Sequence, residues 1–102
     1  MTEPFSAPGG ATFTELEVKE PRKCMVIMHN DDYTTMDFVV QMLVEVFYKS
    51  LPDAHKIMLT VHEKGRGVCG VYPVEIAETK IALVHGRARE AGFPLRCTME
   101  LL

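Results

Sequence analysis

The pattern of apolar and polar positions divides the chain at about residue 22. Residues 1–22 hold scattered apolar residues among prolines and glycines, and such a segment buries too little surface to offset the entropy of ordering. We therefore predict a flexible N-terminal arm over 1–22 and a folded core domain over 23–102. The core begins with the apolar run 24–28, which a polar turn follows, and this run predicts a short strand.

Two helices are predicted next, because apolar residues over 34–48 and 54–61 recur every three or four positions. The first stripe consists of Met36, Val39, Val40, Leu43 and Phe47, and the second of Ala54, Ile57, Met58 and Val61. Thr34 with Asp37, and Ser50 with Asp53, have the spacing of a capping box and predict the two helix starts. Gly65 is a typical residue to end the second helix.

The remaining pattern predicts a strand, a helix and a strand. Residues 68–72 form a short apolar run between Gly67 and Pro73. A third helix is expected from Val74 or Glu75 to Gly92, with Ala77, Ile81, Val84 and Ala88 on one face. Alternation of Leu95, Cys97, Met99 and Leu101 with polar residues predicts a last strand with one buried face. The order β-α-α-β-α-β predicts a small single α+β domain, a three-stranded antiparallel sheet packed against three helices.

Size and charge exclude several classes of function. A chain of 102 residues fits one domain, without a large cleft between two lobes. A formal net charge of −3 leaves no basic surplus for nucleic acid, and the longest apolar run, 24–28, is far shorter than the ~20 residues of a membrane span. The N-terminus lacks the basic and apolar regions of a signal peptide. Three cysteines without a C-x-x-C pair indicate buried free thiols in a reducing cytosol.

The polar turn Asn30-Asp31-Asp32-Tyr33-Thr34 is the first candidate for chemistry. Asn and Asp favour turns, and acids favour helix N-termini, so a purely local role accounts for these residue types. Alternatively, two carboxylates and an amide oxygen could accept hydrogen bonds from a cation that is rich in donors, such as an ammonium. Both interpretations stay open at this point.

His62 and the methionines are the other candidates. His62 lies near the end of the second apolar stripe, where it could be ordinary partly buried surface or could accept one hydrogen bond from an ammonium. The chain has seven methionines, and Met36, Met42 and Met58 fall on the first two predicted helices. Methionine is typical of adaptable core packing, and it also suits a pocket that admits side chains of several shapes.

No enzymatic motif is present in the sequence. It lacks a nucleophile flanked by the expected glycines, a phosphate-binding loop and an H-E-x-x-H zinc motif, and no pattern calls for a cofactor or a metal. A metal-dependent enzyme that uses His29, Asp31, Asp32 and His62 stays open as an alternative, because these residue types are legitimate ligands.

Several blocks of the sequence resemble ClpS, the family of adaptors that deliver N-degron substrates to the ClpAP protease. The resemblance runs in order from about residue 23 to 98 and rests on the blocks 29–38, 57–62, 70–72, 75–80 and 94–98. It implies a binding module without catalysis or cofactor, which acts as a monomer in the bacterial cytoplasm, with the chloroplast stroma as the alternative. It also implies an N-terminal arm that takes part in handing over the substrate.

The resemblance implies roles for the polar residues. Asn30 and His62 would hydrogen-bond the free α-ammonium of a substrate that begins with Leu, Phe, Tyr or Trp. Asp31 and Asp32 would supply negative charge, partly through water. Thr34 would bind the substrate backbone.

A hydrophobic pocket and a docking surface are also implied. The pocket would be lined by Met36, Val39, Met58, Val61 and Leu95, with Met36 as the gate that excludes Ile and Val. The N-terminal domain of the ClpA unfoldase would dock on Tyr33, Glu75, Glu78 and Lys80. One departure is Thr35, where the family commonly has proline. The element order is also similar to the C-terminal domain of a ribosomal stalk protein, so a protein-interaction module without N-degron binding is a further alternative.

Overall fold

A computed structural model of the chain describes residues 21–102. The elements are β1 (Lys23–His29), α1 (Met36–Glu45), α2 (Leu51–Lys64), β2 (Arg66–Pro73), α3 (Val74–Ala91) and β3 (Arg96–Leu101). This order confirms the predicted β-α-α-β-α-β arrangement. The arm predicted over 1–22 lies outside the described residues except for its last two positions.

The three strands form one antiparallel sheet with the order β2-β1-β3. The central strand β1 ends at His29, which lies opposite Arg66 on β2 and Arg96 on β3. The pairing between β1 and β2 shifts register between Val26 and Ile27. Because β1 is central, the polar turn after it leaves from the middle of one end of the sheet, beside the end of α2.

Alternate residues of β1 contribute to the core, together with Cys69 of β2 and Cys97 of β3. Cys24, Val26 and Met28 are fully buried and pack against the apolar stripes of the helices. Helices α1 and α2 contact each other, α2 contacts β2, and α3 contacts all three strands. The buried helix residues include Val39, Val40, Met42, Leu43, Ala54, Met58, Val61, Ala77, Val84 and Ala88. Most members of the three predicted stripes are therefore buried, as the periodicity predicts.

The structure confirms three of the predicted helix-capping residues and shows that a fourth prediction was wrong. Ser50 Oγ accepts a hydrogen bond from the Asp53 amide at the start of α2 (3.3 Å), and Gly65 and Gly92 end α2 and α3 with φ of 89° and 82°. The prediction that Thr34 caps α1 was wrong. Thr35 is the N-cap, and its hydroxyl accepts from the Phe38 amide at 3.2 Å.

The last strand is buried only at its start, so the prediction of one continuous buried face was wrong in part. Leu95, just before β3, and Cys97 are 4% and 3% exposed, whereas Met99 and Leu101 are 36% and 55% exposed. Helix α3 begins directly after β2 and contacts β3 in the second half of the helix, where His85 accepts a hydrogen bond from the Cys97 amide. The second half of this edge strand therefore has little helix above it.

All three cysteines are buried and unbridged, as predicted. A hydrogen bond to Cys97 raises the pKa of the Cys69 thiol, and burial raises it further. The Cys69 thiol therefore stays protonated at neutral pH in the folded protein. Within residues 21–102, no helix has both the length and the apolar character that a membrane crossing requires.

His85 connects α3 to β3 and should make folding sensitive to acid. Its Nε2 accepts the Cys97 amide proton at 3.0 Å, so the imidazole must be neutral. Burial lowers the pKa of His85 from its usual 6.5, and the charges of Arg89 and Arg96 lower that pKa further. The unfolded chain then binds the proton more readily than the folded one. The stabilisation from His85 is full above about pH 6.5 and is lost as the pH falls below that value.

We expect His85→Gln to reduce this acid sensitivity, because the glutamine oxygen can accept the same amide proton and does not titrate. Urea unfolding at pH 7.5 and 5.0 measures the effect, with His55→Gln as the control on an exposed face of α2. His29, whose pKa is lowered by burial and by Arg96 and Arg66, keeps part of the pH dependence in both variants. An equal loss of stability with pH in the two variants would show that His85 does not contribute.

Candidate functional site

A pocket of about 230 Å³ lies between the polar turn after β1, the first residues of α1 and the last turns of α2. It is smaller than the ~300–1,000 Å³ typical of pockets for drug-sized ligands. Its lining consists of Asn30, Asp31, Asp32, Thr34, Met36, Val39, Met58, Val61 and His62. A cavity of this size suits one side chain together with the polar group next to it.

Backbone contacts bring the polar turn against the end of α2. The Asn30 amide donates to the carbonyl oxygen of Gly65, the residue that ends α2, at 2.9 Å. Gly67, the second residue of β2, lets this strand pack closely against α2, because a Cβ at position 67 would lie only 2.9 Å from the Val61 side chain. Asn30 and His62, which are distant in sequence, therefore lie at the same pocket.

The inner part of the pocket is apolar and its mouth carries a methionine. Val39, Met58 and Val61 are only 7%, 7% and 2% exposed, so they form the buried wall. Met36, on the first turn of α1, is 45% exposed and lines the same pocket. A long, unbranched thioether at this position can change rotamer and adapt to an entering side chain.

The Asp31 carboxylate organises the turn. Its Oδ1 accepts the backbone N–H groups of Tyr33 (2.8 Å) and Thr34 (2.7 Å), and its Oδ2 accepts the Thr34 hydroxyl proton at 2.8 Å. Partial burial by itself raises the pKa of Asp31, but these hydrogen bonds outweigh it and the pKa is lowered overall. Asp31 is therefore ionised at neutral pH, and its hydrogen bonds fix the backbone conformation of Tyr33 and Thr34.

The same hydrogen bonds define what Thr34 can offer to a ligand. A threonine hydroxyl has one proton to donate and two lone pairs. The proton of Thr34 is committed to Asp31, so only the lone pairs of Oγ1 can face the pocket. Thr34 is consequently an acceptor toward a ligand, and the ligand group that meets it must be a donor.

The rim of the pocket offers acceptors and negative charge. Asn30, Asp32 and His62 are exposed, and within residues 21–102 neither lysine nor arginine lines the pocket. An amide oxygen, a carboxylate and an imidazole can all accept protons from a small cation rich in donors. An apolar interior beneath such a rim favours a ligand with a positive head and an apolar side chain.

The structure brings together nearly all residues that sequence reasoning assigned to this site. Leu95 is the exception, because it is not among the lining residues; it is buried and borders a different concavity, beside His85 and Phe93. The part assigned to Leu95 stays a prediction. His29, a member of the alternative metal site, lies outside the pocket, and its Nε2 is 2.7 Å from Thr98 Oγ1. Among residues 21–102, no three His, Cys, Asp or Glu side chains are grouped to hold a metal.

The residues predicted to dock a partner are distributed over two places. Glu75 and Lys80 line a groove of about 470 Å³ on α3, and Glu78 is exposed on the same helix. Tyr33 is 77% exposed but belongs to the turn beside the pocket. Sequence reasoning missed Tyr48, which lines the α3 groove; it follows the last residue of the first apolar stripe, and no pattern marks it.

Comparisons with a family model and with known proteins identify the same family. Residues 19–98 match the family model described as ATP-dependent Clp protease adaptor protein ClpS. The chain is similar to the ATP-dependent Clp protease adapter protein ClpS of Oleidesulfovibrio alaskensis, with 65% identity over 84% of this chain and 83% of the relative. It is 61% identical to the protein of that name from Nitratidesulfovibrio vulgaris, over 91% of this chain and 97% of the relative.

A solved structure is similar over the folded core. Agrobacterium tumefaciens ClpS2 bound to L-phenylalaninamide superimposes with a TM-score of 0.78 and 38% sequence identity. The match covers 81% of this chain and all of that chain.

Proposed function

The chain belongs to the ClpS family of ATP-dependent Clp protease adaptor proteins, and we propose that its pocket binds the free N-terminal residue of N-degron substrates. The preferred first residues are Leu, Phe, Tyr and Trp, and the bound proteins are delivered to the ClpAP protease. The family is one of non-catalytic adaptors, and the relatives are bacterial. The observation that carries the proposal is a rim of acceptors over an apolar pocket, to which the described part of the chain contributes no lysine or arginine.

The α-ammonium of the substrate would be held at the rim. Asn30 and His62 accept its protons directly, and Asp32 adds negative charge. The ligand of the Agrobacterium protein supports this proposal, because L-phenylalaninamide combines a free amine with an apolar side chain. Hydrogen bonds to a charged group contribute roughly 1.5–3 kcal/mol each, and burial of a Leu or Phe side chain adds roughly 1.5–3 kcal/mol.

The polarity of Thr34 defines its contact with the substrate backbone. Since the hydroxyl proton is held by Asp31, Oγ1 would accept a backbone N–H of the bound chain. Asp31 therefore acts on the ligand chiefly through the turn that it organises.

Docking and transfer involve other parts of the chain. We assign binding of the ClpA N-terminal domain to a surface that includes Glu75, Glu78 and Lys80 on α3, with Tyr33 as a separate contact. Residues 1–22 would take part in transfer of the substrate to the unfoldase, in the bacterial cytoplasm. These assignments follow from membership of the family; on α3, Glu75 and Glu78 are exposed and Lys80 is half-buried.

Met36→Ala should relax the choice of first residue. The native side chain stands at the mouth of the pocket, where it would crowd a substrate side chain that branches at Cβ. We expect the native protein to bind Leu-, Phe-, Tyr- and Trp-starting peptides and to reject Ile- and Val-starting ones. The variant should bind Ile- and Val-starting peptides about 10-fold more tightly, because the smaller side chain removes a clash of roughly 1.4 kcal/mol.

Fluorescence anisotropy with a labelled Leu-starting peptide and unlabelled competitors measures this change. Met25→Ala, on β1 and outside the lining, is the matched control. Unchanged discrimination in Met36→Ala would show that Met36 is not the gate. Failure of the native protein to bind any of the peptides would contradict the proposed function itself.

A further inference from the structure

The side chain of Met36 is accessible to solvent at the mouth of the candidate pocket. The residue is 45% exposed, the largest exposed fraction of any methionine among residues 21–102. Met99, on β3, is 36% exposed, whereas Met58 is 7% exposed and Met28 and Met42 are fully buried. Oxidants in solution reach an exposed thioether more readily than a buried one. Of the two methionines that line the pocket, Met36 is therefore the one open to oxidation.

The other sulfur groups of the described residues are better protected. Cys24 and Cys69 are fully buried, and Cys97 is 3% exposed. Cysteine oxidation requires an accessible thiolate, so burial slows it. Met99 is partly shielded as well, because its Sδ lies 3.6 Å from the Sγ of the buried Cys24. Met36 thus combines the greatest exposure with a place in the pocket.

Hydrogen peroxide converts a thioether to a sulfoxide in a balanced step. A lone pair of the Met36 Sδ attacks one peroxide oxygen, the O–O bond breaks and an S–O bond forms. The proton on the transferred oxygen moves to the departing hydroxide, which leaves as water. Sulfur loses two electrons and the peroxide gains them. The product is a polar, chiral side chain in place of a flexible apolar one.

The apolar wall of the pocket offers a sulfoxide oxygen no partner. Val39, Met58 and Val61 form this wall, and their side chains donate no hydrogen bonds. An oxygen turned into the pocket would lose water without gaining a donor from these side chains, which is unfavourable. An oxygen turned toward solvent would draw the Met36 side chain away from the substrate side chain beneath it. Both orientations weaken the binding of Leu or Phe.

The polar rim does not accommodate the oxygen without loss either. The Thr34 hydroxyl proton is held by Asp31 Oδ2 at 2.8 Å, and the ionised carboxylates of Asp31 and Asp32 only accept hydrogen bonds. Asn30 and His62 could donate to a sulfoxide, but the oxygen would then occupy the place assigned to the α-ammonium. Oxidation at the mouth therefore acts against both parts of the ligand.

We infer that Met36 is a redox-sensitive modification site, at which oxidation by peroxide impairs the binding of N-degron substrates and reduction restores it. This inference rests on the proposed function, because it concerns the same pocket. A methionine sulfoxide reductase supplied with a dithiol releases the oxygen as water and oxidises the dithiol to a disulfide. Peroxide would thus lower substrate binding reversibly.

Peptide mapping by mass spectrometry, after brief treatment of the folded protein with dilute hydrogen peroxide, tests the modification site. We expect the sulfoxide to form several-fold faster at Met36 than at the buried Met58 and Met42. An excess of a Leu-starting peptide should slow oxidation of Met36 and leave the rate at Met99 unchanged, because Met99 lies outside the pocket. Oxidation of Met36 no faster than that of Met58 would overturn the inference.

Fluorescence anisotropy measures the effect on binding, with a labelled Leu-starting peptide that contains neither methionine nor cysteine. After removal of the peroxide, the oxidised protein should bind about 10-fold more weakly, and methionine sulfoxide reductase should restore the affinity. Met36→Leu has a side chain of similar volume without sulfur, so its affinity should be the same before and after treatment. Met99→Leu is the matched control, and oxidation should weaken its binding as it weakens that of the native protein.

The outcomes separate this inference from the proposed function. Unchanged or tighter binding by the native protein with Met36 fully oxidised would overturn the inference alone. An equal loss of affinity in Met36→Leu would also overturn it, because the loss would then come from another residue. Failure of the untreated native protein to bind the peptide would contradict the proposed function and the inference with it.

Discussion

Acetylation of the N-terminus of a Leu- or Phe-starting peptide is expected to weaken its binding by at least about 100-fold. The acetyl group removes the positive charge and leaves one N–H where the ammonium has three. The acceptors at the rim then lose their partner; they are Asn30, Asp32 and His62. The apolar pocket still binds the Leu or Phe side chain. Two lost hydrogen bonds to a charged group, at roughly 1.5–3 kcal/mol each, correspond to a loss of ~100-fold or more.

Fluorescence anisotropy with a peptide pair that differs only in the acetyl group measures this loss. The control is a peptide that carries the acetyl group on an internal lysine, which leaves the α-ammonium free and should bind normally. Equal affinity of the free and the N-acetylated peptide would contradict an ammonium site at the rim.

The two neighbouring carboxylates should give different results when each is replaced by alanine. Asp31→Ala removes the acceptor of three hydrogen bonds, from the Tyr33 amide, the Thr34 amide and the Thr34 hydroxyl. Leaving such donors without a partner costs about 1–3 kcal/mol of unfolding free energy. It also releases the turn that carries the rim, so peptide affinity should fall by about 10-fold or more.

Asp32→Ala is the matched control, because Asp32 is exposed and accepts no hydrogen bond from the residues described here. Its unfolding free energy should change by less than about 0.5 kcal/mol, while peptide affinity should fall several-fold through loss of charge. Urea unfolding and anisotropy on both variants give the two quantities. Equal stability of the two variants would show that the Asp31 network does not support the turn.

The fold could be predicted because the three helices and the last strand repeat their apolar residues with a clear period, and the first two strands are short apolar runs between turn residues. Element ends were harder to predict. Thr34 and Thr35 are both suitable N-caps, and a hydrogen bond from the Thr34 hydroxyl to Asp31, which spacing alone does not predict, leaves the cap to Thr35. Exposure of Met99 and Leu101 depends on where α3 crosses the sheet, and alternation along one strand carries no information on its neighbours.

The residues of the pocket could be predicted only with the help of the family resemblance. Polar residue types in the turn were compatible with a simple turn, and nothing in the sequence places His62 beside Asn30. The contact of the Asn30 amide with Gly65 creates that proximity and is non-local. Asp31 and Asp32 are identical neighbours in the sequence, and only the backbone geometry of the turn gives them separate roles. The left-handed conformation of Tyr48 likewise depends on backbone geometry that the sequence does not show.

A crystal structure of the protein with a bound Leu-starting peptide tests the central claim most directly. The peptide's α-nitrogen should lie within about 3.2 Å of acceptor atoms of Asn30 and His62, with the leucine side chain between Val39, Met58 and Val61. A peptide bound elsewhere, or a leucine side chain outside this cavity with the α-nitrogen facing solvent, would contradict the account.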